Sequence, residues 1–418
     1  MHLQTILNLV QPFKSFVYES ARVVQNKSGP TLEVNIRPRV NGKPICSGCG
    51  RPRPGYDRET EPRRFEFIPL WGMAVFFLYA MRRVQCSRCG VKVERVPWAE
   101  GKNHLTTAYQ WFLATWAKVL SWRQVARAFR TTWDNVFRSV KMAVAWGLAH
   151  RSLEGIEAIG VDEVQWQKGH KYLTLVYQID KHCKRLLWIG KDRTAKTFLG
   201  FFRMLGRARS AQLKFVCSDM WKGFLGVIRK KAPGALHILD RFHIMSLMNK
   251  AIDKVRAGEA KRLKQAGYPP LLKHSRWSFL KRVWNLTRKQ AVKLKKILKY
   301  NLQTVRAYLL KEEFHQFWEY RRVGWAKRFL KAWCGKVMRS RIEPLKKVVR
   351  TLRAHEELIL NWFRAKGLMS SGVVEGLNLN VKLSMRKAYG FRTYEAAEVA
   401  LYHRLGKLPE PEFAHRFC

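Results

Sequence analysis

Apolar positions alternate with polar ones or run together between residues 64 and 85, and this spacing predicts two strands of a hairpin, 64–68 (RFEFI) and 74–85. From Leu105 to His150 the apolar positions fall three and four apart, the helical period. Ser121 stands as a cap before a short helix carrying Val125, Ala126 and Phe129. Thr131 and Thr132 then make a turn, and Val136, Phe137, Val140 and Val144 continue on one face. After Glu154 the period shortens. Residues 156–161, 172–179 and 185–189 predict three neighbouring strands, 195–205 a helix, 213–217 a fourth strand, 221–231 a helix and 235–239 a fifth strand. Hairpins followed by β-α-β-α-β predict a mixed α/β sheet. Residues 241–365 carry no strand pattern, and runs such as KLKKILKY and RRVGWAKRFLKAW predict amphipathic helices. Residues 372–405 return to helical spacing.

Charge changes this picture. The 418 residues include 80 lysines and arginines against 30 aspartates and glutamates, a net charge of +50. With 47% hydrophobic residues the chain is too apolar for a disordered basic tail, so the charge must decorate folded surfaces. A folded polycation implies a polyanionic partner, and nucleic acid is the first candidate because neutralised phosphates release condensed counterions. Residues 241–365 concentrate the excess, with 32 basic and 8 acidic side chains. Four tryptophans there, Trp318, Trp325, Trp333 and Trp362, suit base stacking or, more commonly, core packing. The longest apolar run, 70–81, has 12 residues, short of the ~20 of a spanning helix. The N-terminus lacks a basic region before its apolar stretch, so an intracellular protein is expected, cytoplasmic and at the nucleoid, with no membrane partner. Around the turn at 131–132, Arg123, Arg127, Arg130, Arg138 and Lys141 point outward. On pattern alone this is a helix-turn-helix or a helical hairpin with solvated arginines, and the basic setting favours DNA.

Four of the eight cysteines form two identical steps, Cys46-Ser-Gly-Cys49-Gly50 and Cys86-Ser-Arg-Cys89-Gly90, separated by 36 residues. Each C-x-x-C turn aims two thiolates at one ion, and two turns complete a tetrahedral Zn²⁺ site. Such zinc is structural, since four thiolates leave no open position.

Where acidic residues are scarce, a carboxylate at a strand end stands out. Asp162 follows Ile-Gly-Val at the end of the first core strand, and Asp219 follows Phe-Val-Cys-Ser at the end of the fourth. If those strands are neighbours, the two carboxylates emerge on one edge, where a divalent cation between them relieves their repulsion. Mg²⁺, or Mn²⁺ in its place, suits an open acidic edge that leaves room for water and phosphate. Glu375 is the candidate third carboxylate for a two-ion site, with Asn378 and Lys382 on the same helical face. Taken alone, that stretch also reads as an exposed polar helix face.

The stretches CSGCG and RRVQCSRCG, IGVDE, VCSDMWKGF, HILDRFHI and SSGVVEGLNLNVKLSMRKAYGFR, in this order, resemble the DDE-type insertion-sequence transposases of the ISL3 (ISL-three) family. The resemblance runs from Cys46 to Leu405. It implies a multidomain chain: an N-terminal region with a zinc ribbon (1–102), a DNA-binding helix-turn-helix (103–150), and an α/β ribonuclease-H-like core with a mixed sheet (151–240 and 366–408) interrupted by a basic all-helical insertion (241–365). It implies a catalytic, Mg²⁺-binding triad of Asp162, Asp219 and Glu375, with Asn378 and with Lys382 or Arg386 near the cleaved DNA end. The family commonly has asparagine where this chain has Ser371. Asp240 and His243 of DRFHI are expected behind the triad, because the fifth strand lies one position further from the first, ~4.8 Å away. Glu163 is left out, since strand alternation turns it away from Asp162.

The implied activity is metal-dependent cleavage of double-stranded DNA at terminal inverted repeats, followed by joining of the freed 3′-hydroxyl to target DNA. Acting on two ends favours a homodimer or a larger synaptic assembly. A non-catalytic DNA-binding protein and a nuclease that cuts without joining are the competing expectations.

Overall fold

A computed structural model describes residues 3–26, 29–365 and 372–412. The chain divides into two compact units, Met1–Ser152 with Lys387–Cys418, and Leu153–Arg386.

The first unit begins with helix α1 (Leu3–Val10) and seven strands: β1 (Phe16–Asn26), β2 (Gly29–Pro38), β3 (Gly55–Arg58), β4 (Arg63–Leu70), β5 (Met73–Tyr79), β6 (Arg82–Cys86) and β7 (Gly90–Val93). They form a four-stranded sheet of order β1-β2-β5-β4 and a three-stranded sheet of order β3-β6-β7. The first packs around an aromatic cluster in which Phe13, Phe16, Phe65 and Tyr79 surround Trp98. The expected hairpin forms between β4 and β5, but it does not hold the cysteines. The strand expected over 74–85 breaks after Tyr79, so β5 ends in one sheet and β6 starts in the other, carrying Cys86. Glu94, 3% exposed, pins the break by accepting hydrogen bonds from the Tyr79 hydroxyl and from the backbone and guanidinium of Arg82.

Helices α2 (Thr107–Val119), α3 (Trp122–Ala128) and α4 (Trp133–His150) follow. Their starts are set by side-chain caps: Ser121, as expected, forms a reciprocal capping box with Gln124, while Thr106 accepts from the Tyr109 N–H and Thr132, expected only as part of a turn, accepts from the Asn135 N–H. Arg130 takes the left-handed conformation, φ +52°, that turns the chain between α3 and α4. Val125, Ala126, Val136, Val140 and Val144 are all buried.

The second unit holds β8 (Ala158–Gln167), β9 (Lys171–Ile179), β10 (Lys184–Lys191), α5 (Ala195–Leu205), α6 (Arg207–Ala211), β11 (Phe215–Ser218), α7 (Lys222–Lys231) and β12 (Leu236–Leu239). The five strands form one mixed sheet of order β10-β9-β8-β11-β12. β8, β9 and β10 are antiparallel neighbours, and β11 is parallel to both β8 and β12. The first and fourth core strands are therefore adjacent, as expected. A cluster including Ile159, Val161, Phe198, Phe201 and Phe224 packs α5 and α7 on one face.

The basic segment is helical as expected: α8 (Arg241–Gln265), α9 (Arg276–Leu280), α10 (Arg288–Ile297), α11 (Gln303–His315), α12 (Val323–Arg339), α13 (Glu343–Ala354) and α14 (Glu356–Arg364). The Asn361 amide donates to the His237 carbonyl at 2.7 Å, fixing α14 to β12. Trp318, Trp333 and Trp362 pack in or against the core of this block, whereas Trp325 is 55% exposed beneath the Arg328 guanidinium.

Helices α15 (Gly372–Lys387) and α16 (Tyr394–Leu405) complete the chain, and the segment expected as one piece of core, 366–408, divides between them. α15 lies on the second unit's sheet. α16 packs on α4 in the first unit, where Lys141 pairs with Glu395 at 2.5 Å and Gly147 leaves room for Leu408. Residues 366–371, where the core is expected to resume after the helical block and which include Ser371, lie outside the described residues.

Gly160 fixes how α15 lies on the sheet. A Cβ at this position would stand 2.3 Å from Cγ2 of the buried Val374, so only glycine lets the helix approach this closely. Gly160→Ala is expected to destabilise the protein by about 2 kcal/mol through overpacking. In a unit of this size that lowers the melting temperature by about 4–8 °C. Adding Val374→Ala is expected to recover most of the loss; calorimetry on the single and double variants checks both.

Candidate active site

β8 does not end at Val161, as expected, but runs on to Gln167 by pairing with β9. Its pairing with β11 stops at Gly160–Cys217. Asp162 therefore lies inside a strand, just past the point where its parallel neighbour gives out, and Asp219 follows the last residue of that neighbour. The two carboxylates reach the same edge because β11 is short.

Each carboxylate is held on both oxygens. Asp162 Oδ1 accepts from the Glu163 N–H at 2.8 Å, and Oδ2 accepts from the Asn378 amide at 2.5 Å. Asn378 accepts in turn from the Tyr177 hydroxyl at 2.7 Å. Asp219 Oδ1 accepts from the Trp221 N–H at 3.0 Å, and Oδ2 accepts from Arg193 Nη2 at 3.2 Å. Arg193 also pairs through Nε with Glu163 Oε2 at 2.6 Å, and its guanidinium lies over the Trp221 ring at 5.0 Å.

Asp240 caps α8 by accepting from the Phe242 N–H at 2.7 Å, and it is 8% exposed. His243 Nδ1 is 3.9 Å from Asp219 Oδ2. Burial pushes the Asp162 carboxyl up to about 6, Asp219 and Asp240 adding to the rise, while the Glu163 N–H and His243 oppose it. Burial likewise pushes Glu163 up to about 7, with Asp219 adding and Arg193 opposing. Asp162, Asp219, Asp240 and Glu163 thus share one electrostatic neighbourhood.

Val374 sits on Gly160 and Asn378 on Asp162, so α15 follows β8, with Glu375 between those two contacts in sequence. Glu375 is exposed in the helix's first turn. Among the described residues, only the four thiols below gather three or more Cys, His, Asp or Glu ligand atoms within 4.8 Å of one another; the carboxylates of Asp162, Asp219 and Glu375 are not drawn that close. Asn378, expected to face DNA, is 6% exposed and its amide is engaged by Asp162 and Tyr177. Lys382 and Arg386 are exposed.

Glu163 was set aside by strand alternation, yet it reaches Asp219 through Arg193. The alternation is real: Asp162 faces α15 and Glu163 faces the α5–α7 side. Asp219, beyond the end of its strand, is reached from both. No local signal in the sequence marks Arg193 or Tyr177, because their partners lie across the fold; Trp221 meets Asp219 locally through its N–H, but its ring partner Arg193 is 28 residues away.

In the first unit, Cys46, Cys49, Cys86 and Cys89 bring their Sγ atoms within 4.8 Å of one another. The Cys49–Cys86 separation is 3.7 Å, close to the ~3.8 Å edge of a tetrahedron with ~2.3 Å zinc–sulfur bonds. Gly50 and Gly90 both take positive φ, +68° and +72°, the reason a glycine follows each pair. Burial opposes ionisation of Cys86, but the Arg88 and Cys89 N–H groups prevail and hold its thiol near 6. The four cysteines fit zinc.

Of the basic residues expected to meet DNA here, Arg123 and Arg127 are exposed on α3. Arg138 pairs with Asp134 at 2.8 Å and Lys141 with Glu395, which partly offsets their charge. No helix among the described residues is long and apolar enough to cross a membrane.

Comparison with known proteins agrees with this layout. The ISL3-type family described as transposase matches residues 159–401, more than half of the chain. The transposase for insertion sequence element IS1001 of Bordetella parapertussis is 29% identical over 370 residues, covering 88% of this chain and 90% of its own. The transposase for insertion sequence element IS1557 of Mycobacterium tuberculosis is 28% identical over 411 residues, covering 92% of this chain and 91% of its own. The chain therefore belongs to the ISL3 family of insertion-sequence transposases.

Proposed function

We propose that the protein cuts DNA at the ends of its insertion sequence and joins the freed 3′-hydroxyl to target DNA, from a ribonuclease-H-like core with Asp162, Asp219 and Glu375 as metal-binding catalytic residues. One observation carries this reading: β8 and β11 are adjacent and parallel, and where their ladder stops the half-buried Asp162 and the buried Asp219, just past the end of β11, share one electrostatic neighbourhood. A carboxyl whose pKa is raised on folding makes the folded state less stable once it ionises, and a bound cation removes that penalty. The donor set therefore fits Mg²⁺ or Mn²⁺. Asp162 and Asp219 each retain lone pairs beyond the hydrogen bonds they accept, and Glu375, exposed in the first turn of α15, is the third ligand of this reading. When bound there, divalent ions would supply an acidified water and charge neutralisation at the departing oxygen.

The chain's own residues do the rest. Tyr177 and Asn378 keep the Asp162 carboxylate fixed before DNA arrives. Lys382 and Arg386, exposed along α15, face the phosphates of the end being cut. Arg123 and Arg127 meet the inverted repeats. The helical block, with its 32 basic side chains, grips flanking or target DNA. The DNA partner is double-stranded, and a dimer or larger assembly brings two ends together.

The test uses full-length protein, Mg²⁺ and an end-labelled duplex carrying the inverted repeats that flank the coding sequence, with a supercoiled plasmid as target. The expected result is a nick exposing a 3′-hydroxyl, followed by a label-plasmid joint. Cutting without joints would make it a nuclease. Binding without cutting would leave the DNA-binding alternative.

A further inference from the structure

We infer that Glu163 and Arg193 form a clamp that positions the Asp219 carboxylate without cancelling its charge. The inference rests on the reading of Asp219 as a metal ligand. Arg193 alone beside Asp219 would neutralise it and weaken any cation site there. Glu163, 2.6 Å from Arg193 Nε and 15% exposed, removes that difficulty. With Glu163 ionised, Glu163, Arg193 and Asp219 together carry one net negative charge, the same as Asp219 alone.

The arrangement mirrors the one at Asp162. There a backbone N–H takes one oxygen and the Asn378 amide takes the other, with the Tyr177 hydroxyl behind. At Asp219 the Trp221 N–H takes Oδ1 and Arg193 takes Oδ2, with Glu163 behind. The Trp221 ring fixes the plane of the guanidinium, and that ring belongs to the residue whose N–H already holds Asp219. Arg193 is thus tied at three points and has little freedom of its own. An acidic residue committed to holding an arginine is notable in a chain with 30 acidic and 80 basic side chains. Glu163 and Arg193 are positioning residues; neither is assigned an ion.

The decisive variant is the double substitution Glu163→Gln, Arg193→Gln, which removes the clamp and leaves the local net charge unchanged. Full-length, zinc-loaded, DNA-free protein is titrated with Mn²⁺ in a calorimeter at pH 8, and cleavage is measured against Mg²⁺ concentration. The double variant is expected to bind Mn²⁺ about tenfold or more weakly, the usual effect of losing such a support. Its half-saturating Mg²⁺ is expected to rise by a similar factor, more than its saturated rate falls, while end-DNA affinity holds. Glu163→Gln alone, which leaves the Arg193 charge uncancelled, is expected to lose at least as much. Wild-type Mn²⁺ affinity in the double variant overturns the clamp, as does weakened DNA binding with unchanged metal dependence, which would make Arg193 a phosphate contact. If the double variant does not fold, Arg193→Lys carries the test: a compact ammonium cannot span both carboxylates, so a loss of about threefold to tenfold is expected, and wild-type affinity refutes the inference. An Asp219→Asn control separates the two levels. If it binds Mn²⁺ as tightly as wild type, the metal reading fails; if it loses Mn²⁺ while the double variant keeps it, only the clamp fails.

Discussion

Asp162→Asn is expected to lower Mg²⁺-dependent strand cleavage at least about a thousand-fold, and Asp219→Asn to do the same. The size follows from metal-ion catalysis, in which bound cations supply several kcal/mol of charge stabilisation, with ~1.4 kcal/mol for each factor of ten. Asparagine keeps the shape of either side chain and an oxygen for its hydrogen-bond donors, Asn378 at Asp162 and Trp221 or Arg193 at Asp219. The fold should therefore survive, as melting temperature would report. DNA binding should persist or tighten, because each change removes a negative charge next to phosphate. Glu375→Gln is expected to match them in activity; retained cleavage in any one of the three removes that residue from the catalytic set.

Loss of zinc is expected to unfold the sheet β3-β6-β7 while leaving the four-stranded sheet intact. The reason is the size of the local core. Around the four thiols the fully buried residues are Cys46, Val84 and Cys86, too little apolar surface to hold three short strands. Structural zinc is worth about 10–16 kcal/mol in zinc-finger peptides, far more than one buried valine. The four-stranded sheet has its own cluster around Trp98 and needs no metal. Cys86→Ser should release one equivalent of zinc, measured by metal analysis, and weaken end binding. Hydrogen exchange should accelerate over 45–58 and 82–94 but not over 16–38. Uniform protection after chelation would count against a structural role.

The five strands of the second unit were legible because each is a short apolar run bounded by turn residues, and the start of α3 because Ser121 is a cap residue ahead of helical spacing. The four cysteines were legible from their repeat. The length of β8 was not. Residues 163–167 are largely polar, and they stay in a strand only because β9 continues beside them. The break after Tyr79 is not legible because hydrophobicity runs straight through it; the buried Glu94, just past the end of β7, makes the bend. The burial of Asn378 is not legible, because an amide in a polar helix has no preference that a sequence reveals; it depends on Asp162 and Tyr177, 216 and 201 residues away. Glu163 shows the limit of alternation as a rule. It fixes which face a side chain takes, not what a neighbouring loop brings to that face.

The order in which the chain leaves the ribosome gives the Val374–Gly160 contact a temporal meaning. All five strands are translated by Leu239, and Asp219 is made 156 residues before Glu375. At ~5–20 residues per second that interval is about 8–30 s. During it the five-stranded sheet can form, yet its face over Gly160 and Asp162 stays bare, and the first unit still waits for α16. A prematurely terminated product ending before α15 would carry Asp162 without the Asn378 amide that holds it, and would also lack α16, the helix packed on α4.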